Sequence, residues 1–203
     1  MKHPRYDEEM NCLDIEWFKL LMPLGVLPIP IPISQPDQTV EIWDGLNLDG
    51  LILTGGNSIQ AISDLPNDNT SVERDDHENC LINCAISSKT PVLGVCRGMQ
   101  FINYYFSGRL SKVTGHAGTR HFVSFIDQDD SLLPSAEVNS FHNYAIPVSN
   151  LGEGLIPLAK DESGNVEALR HTKHKVLGLM WHPEREGNPF HNDIQLIKGH
   201  FKL

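Results

Sequence analysis

The chain reads as an α/β protein: an open, mostly parallel sheet with helices on both faces and a small antiparallel insert. Three observations predict it. The apolar runs Leu51-Ile52-Leu53-Thr54 and Pro91-Val92-Leu93-Gly94-Val95 have the form of buried parallel strands, the first running into the tight turn Gly55-Gly56-Asn57. Amphipathic stretches over 72–87 and 98–106 alternate with those runs, as the helices of an α/β sheet do. The second half carries short strands between turn residues, which adds antiparallel pairing. With 203 residues and 22.7 kDa, one domain over 1–203 is expected, and no repeat, linker or low-complexity tract interrupts it.

Residues 9–21 place Met10, Leu13, Trp17, Phe18, Leu20 and Leu21 at mixed helical spacings, and Pro23-Leu24-Gly25 stops the pattern, which predicts a first helix. The segment Val26 to Ile33 alternates with prolines and suits an edge strand or an extended connection. Residues 58–71 are polar, broken by Pro66, and read as a loop. Val72 to Ser87 has Asp75, Asp76 and Glu78 early and Leu81, Ile82, Ala85 and Ile86 later, the charge order of a helix N-terminus. Gly98 to Phe106 is a second such helix, with Gly108 available to end it. Phe122–Ile126, Val138–Phe141, Asn165–Arg170 and Lys175–Trp181 read as strands, and Ile194–Phe201 as a last helix.

Sixteen basic against 26 acidic residues give a net charge of -10, which disfavours general nucleic-acid binding. No apolar run reaches the roughly 20 residues of a membrane span, and Met1-Lys2-His3-Pro4 leads into acidic residues instead of a signal peptide's apolar core. Neither a nucleic-acid nor a membrane partner is expected, and a cytoplasmic location is. The four cysteines, Cys12, Cys80, Cys84 and Cys96, are too scattered for a disulfide framework. His77, Cys80 and Cys84 lack a second ligand pair at zinc-site spacing and are expected to be core, so no metal is expected.

Chemistry concentrates in Gly94-Val95-Cys96-Arg97-Gly98-Met99-Gln100, a Gly-x-nucleophile-x-Gly turn between a buried strand and a helix. Flanking glycines tolerate a sharp turn that lifts the cysteine above the sheet. There the helix dipole and unpaired N–H groups favour a thiolate and leave an N–H for an oxyanion. A thiolate nucleophile needs a base, and the base needs an orienter. The apolar run Val176 to Trp181 leads directly into His182-Pro183-Glu184, where an extended backbone points His182 and Glu184 the same way. A plain buried cysteine and a surface His-Pro-Glu turn are the structural alternatives.

Leu53-Thr54-Gly55-Gly56-Asn57, Leu93 to Gln100, Asn139-Ser140-Phe141-His142-Asn143 and Met180-Trp181-His182-Pro183-Glu184 stand in an order that resembles one family over most of the chain. That family is the class I glutamine amidotransferase-like hydrolases, the gamma-glutamyl hydrolase or Peptidase C26 group. The resemblance implies the flavodoxin-like form of the open sheet and hydrolysis of a small gamma-glutamyl conjugate through a glutamyl thioester. It implies Cys96 as nucleophile, His182 as general acid and base, Glu184 as its partner, and the backbone N–H groups of Gly56 and Arg97 as the oxyanion hole. It also places Gly55, Asn57, Gln100, Ser140, Phe141 and His142 around the glutamyl end of the substrate, and implies no cofactor.

Within the family, Tyr6-Asp7-Glu8-Glu9, Asn11-Cys12-Leu13, Asn139 to Asn143 and Trp181-His182 with Glu184-Arg185-Glu186 resemble hydrolases of gamma-glutamyl-CDP-amidate in capsule phosphoramidate biosynthesis more than hydrolases of gamma-glutamyl-GABA. Arg109, Lys112, His116, Arg120 and His121 follow the nucleophile helix and could meet a diphosphate, or form a solvated face. Other readings stay open: a glutaminase subunit delivering ammonia to a separate synthetase, a gamma-glutamyl-GABA hydrolase, or a non-catalytic binding protein. Self-association stays open as well. One departure stands out: related chains open with a short apolar strand, whereas loop-like residues 2–9 begin almost at Met1, so that strand is expected to be absent, replaced or encoded upstream.

Overall fold

A computed structural model describes residues 5, 10–60, 71–126, 132–187 and 190–203. The expected loop over 2–9, Arg5 excepted, and most of the polar stretch 58–71 lie outside the described residues. In chain order the elements are α1 (Glu16–Leu21), α2 (Pro36–Leu46), β1 (Leu51–Leu53), α3 (Val72–Ser88), β2 (Val92–Val95), α4 (Arg97–Tyr105), β3 (Ser111–Lys112), β4 (Ala117–Phe125), β5 (Ser135–Phe141), β6 (Tyr144–Ala145), β7 (Leu155–Asp161), β8 (Val166–His171), β9 (Val176–Leu179) and α5 (His191–Phe201).

Seven strands form one sheet in the order β1-β2-β9-β8-β7-β4-β5. The first three are parallel, with Leu53 beside Gly94 and Val95 beside Leu179, so all three end along the same edge. The sheet then continues through four antiparallel strands, and β3 and β6 form a separate ribbon. The antiparallel share is therefore larger than an insert alone, because short links at 162–165 and 172–175 close hairpins that need no crossover.

Side-chain alternation along the parallel strands explains the two helical layers. Leu51, Leu53, Val92 and Val176 pack with Trp43 of α2, Leu81, Ile82 and Ala85 of α3, and Met99 and Ile102 of α4. Leu93, Val95, Leu177 and Leu179 face the opposite way, onto Trp17, Leu20 and Leu21 of α1 and Ile197 of α5.

The first helix is shorter than its apolar pattern predicts, because Asp14 Oδ1 accepts from the Glu16 N–H at 3.1 Å and starts the helix there. Val26 to Ile33 is an extended connection with no ladder partner, and β1 is the outer strand of the described sheet on that side. α2, unassigned in the sequence reading, begins at Pro36 with Gln35 and Gln38 capping each other. β7 was also missed: Pro157 and register shifts interrupt the alternation that would reveal it. Among the described residues no helix is long and apolar enough to cross a membrane.

Candidate active site

The three parallel strands deliver their C-terminal ends to one edge, where an open α/β sheet gathers ligands and chemistry. β1 runs into Thr54-Gly55-Gly56-Asn57, β2 into Cys96, and β9 into Met180-Trp181-His182. The Cys96 N–H donates to Leu179 O at 2.8 Å, which fixes the elbow directly above β9.

Cys96 has φ 51° and ψ -106°, a left-handed conformation that a side-chain-bearing residue rarely holds. Surrounding packing imposes it. A Cβ at Gly98 would strike Leu53, and one at Gly94 would strike Gly98 and Ile102, so only glycines let strand and helix approach this closely. The cysteine stands at the N-terminus of α4 and is buried.

His182 is 2% exposed and donates through Nδ1 to Glu184 Oε1 at 2.6 Å. That bond leaves Nε2 for another partner, and Cys96 is a near enough neighbour to favour the charged imidazole. Burial opposes its charged form, but the hydrogen bonds and negative charge of Cys96 and Glu184 outweigh burial and hold His182 up to about 9. Two residues absent from the predicted site lock this geometry. Asn139 on β5 accepts from the His182 N–H at 2.9 Å and donates to His182 O at 2.8 Å. Trp181 donates to buried Asp193 on α5 at 2.8 Å.

The loop after β1 is held from α3 by Arg74. Its guanidinium donates to Thr54 O at 2.9 Å, Gly55 O at 3.1 Å and Asn57 Oδ1 at 3.0 Å, and its Nε donates to Glu78 at 2.7 Å. Gly56 has φ 143°, and a Cβ there would strike the guanidinium. A Cβ at Gly55 would strike the Cε1 edge of the His182 ring, leaving no room for a side chain. The Arg97 side chain turns away from the elbow and pairs with Glu78 and Asp75, 1% exposed.

The remaining predicted contacts divide. Phe141 packs edge-on to His182 with centroids 5.7 Å apart, and the Arg185 guanidinium lies 4.8 Å over its ring. Gln100 donates to Tyr144 O at 3.2 Å. The side chains of Ser140 and His142 are directed elsewhere: Ser140 donates to His116 O, and His142 joins a histidine group on the antiparallel half. The basic run is not a uniform cationic face, since Arg120 pairs with Glu186 at 2.8 Å and shares a pocket with Asp161 and Glu162. His77 and Cys80 contact protein partners, Thr39 and Pro36 O.

A strained cysteine at a helix N-terminus, beside the strand end whose imidazole a carboxylate orients, fits the class of glutamine amidotransferase-like α/β proteins. The chain belongs to the Peptidase C26 family, whose model matches residues 1–184. It is 35% identical over 199 residues to a gamma-glutamyl-CDP-amidate hydrolase from Campylobacter jejuni, covering 98% of this chain and 92% of that one. It is 25% identical over 173 residues to one component of the glutamine-hydrolyzing GMP synthase of Methanocaldococcus jannaschii, covering 84% and 82%. The fold matches a crystal structure assigned to a GMP synthase component from Thermoplasma acidophilum, with TM-score 0.70, 24% identity, and coverage of 92% and 85%.

Proposed function

We propose that this chain is a cysteine hydrolase of one 1–203 domain that cleaves the gamma-glutamyl amide of a small conjugate. The observation that carries the reading is the His182 imidazole, which Glu184 holds at 2.6 Å and which, with Cys96 as its other neighbour, keeps its proton to about pH 9. The Cys96 thiolate attacks the gamma-carbonyl carbon, and the tetrahedral oxyanion is held by the N–H groups of Gly56 and Arg97. His182 gives its proton to the departing nitrogen as the C–N bond breaks, leaving a glutamyl thioester. Water then attacks the thioester carbonyl while His182 takes its proton. The C–S bond breaks, glutamate leaves, and the thiolate returns. Gly55, Asn57, Gln100 and Phe141 stand as candidate determinants of the glutamyl pocket, with Phe141 supported most directly by its contact with His182, while Ser140 and His142, whose side chains turn away, are left to contribute through their backbone alone.

The substrate favoured is a gamma-glutamyl nucleotide amidate such as gamma-glutamyl-CDP-amidate, supported by the identity of the Campylobacter relative over nearly the whole chain. That substrate would place the protein in capsule phosphoramidate biosynthesis, in the reducing cytoplasm that its four free thiols suit. A second reading, a glutaminase subunit serving a separate synthetase, is favoured by the GMP synthase relative.

Glutamate release is the measurement, with gamma-glutamyl-CDP-amidate, gamma-glutamyl-GABA and glutamine compared for wild type and Cys96→Ala. The nucleotide amidate is expected to turn over fastest, with loss of at least about 10⁴-fold in Cys96→Ala. The wild-type rate is expected to fall above about pH 9 as His182 loses the proton it gives the leaving nitrogen. Preference for glutamine moves the assignment to the second reading. Undiminished turnover by Cys96→Ala overturns both.

A further inference from the structure

The antiparallel half of the sheet buries a second group of titratable side chains that takes no part in this chemistry. His116 precedes β4, His121 lies on β4, His142 follows β5 and Glu167 lies on β8. Their donor atoms all lie within 4.8 Å of one another. Glu167 is 0% exposed and His142 3%. Even so, both Glu167 oxygens, His142 Nε2, His121 Nε2 and His116 Nδ1 are buried without a hydrogen-bond partner. Buried polar atoms are nearly always paired, so five unpaired ones around a single point call for a missing partner. The carboxylate does not satisfy the imidazoles itself: His121 Nε2 stands 3.3 Å and His142 Nε2 3.8 Å from its oxygens, without hydrogen-bond geometry.

Two of the imidazoles are kept neutral by burial, while Glu167 favours the protonated form of His121, so that a cation bound there displaces a proton. His142 Nδ1 donates to Tyr144 O at 2.9 Å, and since a carbonyl only accepts, the hydrogen sits on Nδ1 and the Nε2 lone pair faces the cluster. Burial keeps this ring neutral by pushing it down to about 4. His116 Nε2 faces Asp161 Oδ2 at 3.8 Å, and Asp161 is itself held by the backbone and side-chain N–H groups of Asn165. A carbonyl or carboxylate behind a histidine is the outer support that metal-bound imidazoles use.

We propose that His116, His121, His142 and Glu167 bind one Zn²⁺ ion. Three imidazole nitrogens and one carboxylate oxygen suit zinc, whereas Mg²⁺ and Ca²⁺ take oxygen donors. Bonds of about 2.1 Å give tetrahedral edges of roughly 3.4 Å, so the side chains draw inward modestly around the ion. A pocket of about 320 Å³, lined in part by His116, His121 and Asp161, opens the cluster to solvent. The ion neutralises Glu167 and ties β4, β8 and the end of β5 together.

Metal-free protein is titrated with Zn²⁺ and followed by bound-metal stoichiometry and thermal melting, in wild type, Cys96→Ala, Glu167→Gln and His121→Asn. Wild type and Cys96→Ala are expected to bind one equivalent and melt several degrees higher with metal. Glu167→Gln and His121→Asn, checked for folding by circular dichroism, are expected to lose at least tenfold in affinity and the rise in melting temperature. Glu167→Gln is nearly isosteric and His121 lies at the pocket rim, so a folded variant remains available. The proposal is overturned if wild type shows no saturable binding, if both cluster variants bind as wild type does, or if Cys96→Ala alone abolishes binding.

Discussion

Two buried groups of charged side chains flank the sheet, and they are built on opposite principles. On the α3–α4 side, Arg97 and Arg74 meet Asp75 and Glu78 in a network where each acid has a guanidinium partner. On the antiparallel side, three histidines surround Glu167, whose oxygens accept no hydrogen bond. In the first group both acids are paired within the chain, Arg97 Nε alone lacking an acceptor, and the group anchors the two loops of the proposed site: the turn after β1 through Arg74, and the elbow through Arg97. The second is complete only with something added. Burial alone therefore does not separate a scaffold from a site; satisfaction of the buried atoms does.

Removing the centre of the ion-paired network should produce the largest effect. Arg97→Met leaves Glu78 with one partner and Asp75 without its guanidinium, inside a region where Arg97 is 1% exposed. A broken buried pair of this kind costs about 3–5 kcal/mol. Urea unfolding of the Cys96→Ala and Cys96→Ala/Arg97→Met proteins measures it without interference from the thiol. A loss below about 1 kcal/mol would show that the pairing contributes little and that the contrast between the two groups is false.

Much of this was legible in the sequence where chemistry is local. Gly94-Val95-Cys96-Arg97-Gly98 encodes its own turn, and Cys96 adopts the left-handed backbone that the motif demands. His182-Pro183-Glu184 likewise holds imidazole and carboxylate two residues apart, and the structure gives their bond at 2.6 Å. What sequence reading missed is assembled from a distance. Arg74 reaches back 20 residues to Thr54 O, and nothing in its helix distinguishes it from a solvated arginine. Asn139 meets His182 across 43 residues, through the path of the sheet. The histidine cluster was hidden for the same reason: β4 and β8 are brought into register by β7, the strand that Pro157 concealed. His77 with Cys80 and Cys84 drew attention by close spacing, whereas the histidines that converge lie on separate strands and links.

Arg74 sharpens the comparison from the side of function, with an effect of intermediate size. Its hydrogen bonds to Thr54 O and Gly55 O hold the loop that bears Gly56, so Arg74→Met should loosen that proposed oxyanion donor more than the fold. The side chain is 17% exposed, which lets water take the place of the lost contacts. A misplacement of an ångström or less at such a loop lowers the rate by up to about 100-fold. The fall is expected in kcat with KM nearly unchanged, and Arg74→Lys should recover only part of it, because an ammonium cannot span two carbonyls as a fork. Equal loss in kcat and in melting temperature would make Arg74 an ordinary structural residue.

The smallest effect is expected where intuition about buried charge predicts a large one. Glu167→Gln replaces a fully buried carboxylate whose oxygens accept no well-aligned hydrogen bond and whose nearest charged neighbour is His121 at 3.3 Å. The amide keeps the volume and removes the desolvation of an anion, so stability of the metal-free protein should change by less than about 1 kcal/mol, toward either neutrality or a gain. Urea unfolding in the presence of a chelator is the measurement, beside Arg97→Met under the same conditions. A loss of about 3 kcal/mol or more would mean that Glu167 is paired within the chain as firmly as Glu78 is, and the distinction between a finished network and an open donor set would fall with it.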